Sequence, residues 1–420
     1  MNLKSAHCSF LLLLLSLCVF AQSDPSKREK KAKEKPLPLT SHVILISVDG
    51  LRVEDLNNPK LNIPTLKNLR DRGSFALNIE SVYPSQSIPT HATIVTGMLP
   101  ADHGITADAS FDEKKGLTSA DNYHLASELK ADTIWQAAKR AGLKTAALNF
   151  PMTEKAEIDF ASQTSVTDLI EKNHPQLLLI KFDEIAISLQ RFGVGSVEAK
   201  VAVENIDAAL KTMLDSVERA GLTNETTFLL VSSHGYAKVE QEFRPNVILA
   251  RKGFLTTDAS GNITSWIAAT HASGGAAAIY LQDQHNEETA KVLEEIFTEI
   301  HKKEGSPIWR VISKKDAAKL GADPRAALFI EAAPGFVISE QVTGKKVIDK
   351  LEVSAGRSAS GYLPSRSEMR GMLIAAGKGI KPKTQIEYAR LVDIAPTIAR
   401  LLGLELKASR GHAISGILVQ

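Results

Sequence analysis

Four residues in this chain have types that do chemistry, and three of them stand at the ends of apolar runs. Asp49 follows the apolar run "HVILISV", Asp183 follows "QLLLIKF", and His234 comes just after "TTFLLVSS". A carboxylate, a carboxylate and an imidazole are the side chains that hold divalent metal ions such as zinc. The fourth residue, Ser87, lies in "SVYPSQSIPTHATIVTG", just before a proline turn and a small, apolar stretch that reads as a helix entry. A serine hydroxyl attacks only when a base, a metal or a strongly positive surrounding activates it. The chemistry therefore depends on what charge surrounds Ser87.

The elements that must position these residues are legible from periodicity. The three runs are continuous rather than alternating, as expected of parallel strands buried on both faces. Between them come predicted helices: "TLKNLRDRG" closed by Gly73, "TIWQAAKRAG" ended by Gly142, and a long amphipathic helix with Ser196 as N-cap and Gly221 as its stop. Strand alternating with helix predicts an α/β fold around a mostly parallel central sheet with helices on both faces. In such sheets functional groups gather beyond the carboxyl ends of the strands, where Asp49, Asp183 and His234 are placed. Residues from about 251 to 357 read as an inserted cap or elaborated edge.

The chain opens with Lys4, an apolar segment from Phe10 to Phe20 and the small-residue pattern ending at Ala21. Residues 1–21 are expected to be a signal peptide, and residues 22–39 a disordered basic linker before a single domain over 40–420. Cys8 and Cys18 both fall in the leader, so the mature chain is expected to lack disulfides and thiolate sites. These features predict an exported protein, periplasmic or secreted, with no transmembrane segment in the mature chain. A formal net charge of +2 argues against a nucleic-acid polymer as partner.

"SVDGLR", "PTHATIVTGMLPADHGI", the strand before Asp183, "SSHGY" and "SASGY" occur in an order that resembles the type I phosphodiesterase/nucleotide pyrophosphatase family of the alkaline phosphatase superfamily. The resemblance implies an alkaline-phosphatase-like fold, a phosphate-ester small molecule as substrate and a pair of zinc ions activating a Ser or Thr nucleophile. It implies Ser87 as nucleophile, Thr90 as a phosphate-oxygen donor in place of the usual Asn, and Asp49, Asp183 and His234 as metal ligands. Three further ligands are missing. Ser233 stands where an aspartate is expected, Ile187 or Gln190 (according to register) where a histidine is expected, and Ser360 where the last histidine is expected. At most one zinc ion is then expected, with weak or absent two-zinc catalysis. The alternative is an active metal-dependent phosphodiesterase or phosphatase that uses one metal or replacement ligands. His91 is expected to pack beneath the turn, His271 to be a surface or loop residue, and His42 an edge or surface residue. The backbone N–H groups that begin the helix after Ser87 are expected to hold an anion.

Overall fold

The computed structural model describes residues 37–161, 165–344, 346–352 and 356–420. The predicted signal peptide and nearly all of the basic linker lie outside the described residues. The centre is a nine-stranded sheet among the described residues. Its strands, in chain order, are β1 (His42–Val48), β2 (Ser74–Glu80), β3 (Thr145–Leu148), β4 (Phe160–Ala161), β5 (Leu177–Phe182), β6 (Thr226–Ser232), β7 (Gly371–Gly377), β8 (Thr384–Ile386) and β9 (Ala389–Arg390). The spatial order is β8-β2-β7-β6-β1-β5-β3-β4, and β9 also pairs with β2. Strand β1 is parallel to both β5 and β6, whereas β7 runs antiparallel to β6 and β2. The sheet is therefore mixed at one side and parallel where Asp49, Asp183 and His234 emerge.

Both faces of β1 are apolar because both are covered. Ile44, Ile46 and Val48 pack with Leu66 and Leu69 of helix α1 (Pro64–Arg72) and with Ile206, Leu210 and Met213 of helix α5 (Val197–Arg219). Helices α2 (Ser87–Thr96), α3 (Ile134–Arg140) and α7 (Ile394–Leu402) cover Val43 and Leu45 on the other face. Successive side chains of a strand point to opposite faces, so a strand between two helix layers needs no polar side. Ser196 caps α5 by accepting the N–H of Ala199. Helix α4 (Glu184–Phe192) starts directly after Asp183, so β5 hands its last polar residue to a helix start.

The region from about 251 to 357 contains a separate antiparallel sheet, in the order Ala268–Ser273, Ala276–Leu281, Leu328–Ala332, Ile308–Ser313. Leu293 and Phe297 of α6 (Glu287–His301) are buried in a cluster with Ile279 and Tyr280. His271 lies in this sheet and is almost fully buried, which corrects its expected surface position. Its Nδ1 meets Thr118 and Glu340. His42 is likewise buried, within β1, with Nδ1 2.9 Å from the Pro175 carbonyl. Hydrogen-bond partners for a ring nitrogen let each imidazole be buried.

Candidate active site

The register of β1 against its neighbours fixes the centre. Ser47 pairs with Lys181 on one side and Val231 on the other, so Asp49, Asp183 and the Ser233–His234 pair emerge side by side. Gly50 turns the chain away from β1 with φ +88°, and its N–H donates to the His234 carbonyl at 2.9 Å. A side chain there would run into Leu189 and Tyr236. This turn leaves the Asp49 carboxylate fully buried and pointing at the start of α2.

Ser87 is the first residue of α2 and donates its hydroxyl to Asp49 Oδ2 at 2.8 Å. Ser233 donates to the other oxygen, Oδ1. His234 Nε2 stands 3.9 Å from Asp49 Oδ2 and has no hydrogen-bond partner among the described residues. Thr90 is buried, with its hydroxyl 2.8 Å from the Ser87 carbonyl and 3.1 Å from Ser233 Oγ. His91 lies beneath the turn, its Nδ1 2.6 Å from that same carbonyl. Burial pushes the His91 imidazole down to about 4 against the pull of Asp49. Burial would also raise Asp49, but His91, His234 and Lys181, together with the Ser233 hydrogen bond, hold its carboxyl well below the ordinary range. A carboxylate so held is a weak base and does not ionise a serine.

Lys181 was not singled out by the sequence, yet it is central. It is the next-to-last residue of β5, its side chain is buried, and its ammonium contacts Asp183 Oδ1 and lies 3.9 Å from Asp49 Oδ2. The available signal was a lysine inside an otherwise apolar strand, because lysine is rarely buried unless paired.

The Gln190 amide donates to the phenol of Tyr236 at 3.2 Å. Ile187, the other register for the missing histidine, is exposed on α4. Tyr236 is itself buried, and burial, followed by Asp49 and Asp108, pushes its phenol up.

One expectation is overturned. The start of α2 does not offer a row of free N–H groups. Ile88 donates to Asp108 Oδ1 at 2.8 Å, residue 89 is proline, and Thr90 donates to the Gln86 carbonyl. An internal carboxylate therefore already accepts the Ile88 N–H. Burial raises Asp108 above its ordinary value.

A sequence profile of type I phosphodiesterase / nucleotide pyrophosphatase matches residues 43–356. The chain belongs to this family. Human ectonucleotide pyrophosphatase/phosphodiesterase family member 1 is 25% identical over 218 residues, covering 47% of this chain and 24% of its own length. Venom phosphodiesterase 2 of Crotalus adamanteus is also 25% identical, over 224 residues, covering 47% of this chain and 27% of its own. The match thus spans about a quarter of these relatives. Human ectonucleotide pyrophosphatase / phosphodiesterase 5 superposes with a TM-score of 0.68 at 19% identity, covering 88% of this chain and 97% of that structure. An inactive variant of the murine protein in complex with AMP superposes equally well. These likenesses establish the alkaline-phosphatase-like α/β fold.

A two-zinc centre does not fit the residues present. Among the described residues, no three His, Cys, Asp or Glu side chains are grouped to hold a metal ion. Asp49 and His234 remain on one side and Asp183 on the other, with Lys181 touching both carboxylates. Among the described residues no helix is long and apolar enough to cross a membrane.

Proposed function

We propose that this chain is an exported member of its family that keeps a phosphate-ester-shaped centre around Ser87 but carries out weak or no two-zinc hydrolysis. The observation that carries this reading is the Ser233–Asp49–Ser87 chain of hydrogen bonds. Hydroxyls satisfy both oxygens of the carboxylate that would otherwise face a metal, and a serine hydroxyl that is not ionised is a poor zinc ligand. Gln190, bound to Tyr236, and the serine at position 360 support the same reading for the second site.

In this reading Asp49 orients the Ser87 hydroxyl without activating it, and Thr90 faces the phosphoryl oxygens. Asp49, His234 and Asp183 are the remaining members of a former ligand set. The leader-like segment at residues 1–21 supports export to a periplasm or the exterior. The AMP complex of the murine relative supports a nucleoside monophosphate as the first ligand to test.

The test is turnover of bis(p-nitrophenyl) phosphate by the mature chain, with and without added zinc, beside calorimetry with AMP. AMP binding with turnover no faster than that of Ser87→Ala is the expected result. Zinc-dependent turnover that Ser87→Ala abolishes would establish an active phosphodiesterase instead.

A further inference from the structure

We propose that Lys181 is the resident cation of this centre: its ammonium occupies the space between Asp49 and Asp183 and excludes a divalent ion from it. The inference rests on the depleted centre argued above and adds what replaced the metal charge.

Placement comes first. Lys181 is the next-to-last residue of β5 and Asp183 follows the strand's end as the N-cap of α4, where its carboxylate meets the ammonium. Pairing with β1 sets Lys181 opposite Ser47, which aims its four-carbon stem towards Asp49. The ammonium thereby contacts the carboxylates of two different strand ends. His234 Nε2 stands at the same distance from Asp49 Oδ2, buried and without a partner. Asp49 and Asp183 thus flank a point already holding one positive charge, with His234 beside Asp49.

Electrostatics makes the arrangement mutually dependent. An ammonium taken out of water needs opposite charge around it, and two neighbouring carboxylates need a cation between them. A divalent ion entering the same space would stand close to the ammonium and be repelled by it. Tyr236, Gln190 and Ser233 around it are neutral hydrogen-bonding groups, and the further carboxylate nearby, Asp108, is engaged by the Ile88 N–H.

The experiment titrates zinc alone into the wild type, Lys181→Ala and Lys181→Gln, with calorimetry and thermal unfolding as readouts. The expected result is no saturable zinc binding by the wild type and one site gained by each variant, at least about tenfold tighter. The melting temperature should rise with zinc only in the variants, because a ligand that binds the folded state stabilises it. Should a variant be unfolded without zinc, zinc restores its circular dichroism spectrum. A wild type that binds zinc as tightly as the variants overturns the proposal. So does a folded variant that gains no site, or an unfolded one that zinc does not rescue. Tight zinc binding by a wild type that cleaves nothing overturns this inference alone. Metal-free cleavage of the phosphodiester overturns the proposed function alone.

Discussion

Ser233 donates its hydroxyl to Oδ1 of Asp49 across the ends of two adjacent parallel strands. Replacing Ser233 by alanine leaves that buried oxygen without its donor. The variant should lose about 1–3 kcal/mol of stability, the usual cost of an unsatisfied buried polar group. Urea unfolding checks this, and an unchanged midpoint would show that Asp49 finds another donor.

Rebuilding the missing ligands should work only when the ammonium is removed as well. The triple variant Ser233→Asp, Gln190→His, Ser360→His is expected to stay near background in zinc-dependent phosphodiester turnover. Adding Lys181→Ala should raise the rate at least ~100-fold, equivalent to about 2.7 kcal/mol of barrier. High activity in the triple variant alone would show that Lys181 does not oppose metal entry.

Asp108 holds the Ile88 N–H at the start of α2. Asp108→Ala should cost about 1 kcal/mol, as loss of a helix N-terminal cap does. The freed N–H and the lost negative charge should also tighten AMP binding, which calorimetry measures directly. Weaker binding would indicate that Asp108 orders the ligand-facing turn rather than blocking it.

Glu331 supplies a pH dependence that can be worked out. It is fully buried, accepts the Leu363 N–H at 2.9 Å, and burial pushes its carboxyl up to about 8. The folded state therefore holds a proton that the unfolded chain releases from about pH 4.5 upward. The stabilising contribution is complete below that value and is lost as pH rises through about 8, with a slope of up to about 1.4 kcal/mol per pH unit. Glu331→Gln keeps the acceptor and cannot ionise, so its stability relative to wild type should grow between pH 5 and 8. Parallel pH profiles of the two proteins would refute this origin.

Much of the fold was legible because continuous apolar runs, glycine stops and a serine cap each carry a local physical meaning. "HVILISV" is β1, "QLLLIKF" contains β5, and Ser196 caps α5. The strand-end rule put Asp49, Asp183 and His234 beyond the carboxyl ends of neighbouring strands, and the structure brings Ser87 to Asp49. The parts that were not legible depend on contacts between distant segments. Asp108 reaches Ile88 from 20 residues away, and nothing in "ITADASFD" marks a cap. Tyr236 reads as a core aromatic until Gln190 is seen at its hydroxyl. His271 and His42 were expected at the surface, in loops or at an edge, yet a strand buries both. Lys181 was readable in principle, as a charge within an apolar strand, but its partners lie at separate strand ends.

The attachment of the Lys181 ammonium to the backbone of β5 sets its supply. An ion borrowed from solution is present only in proportion to what the surroundings offer, and any chelator can strip it. A charge made by translation arrives one per chain, in every medium. A protein so equipped leaves synthesis with its centre already electrically complete, in zinc-starved surroundings as in rich ones.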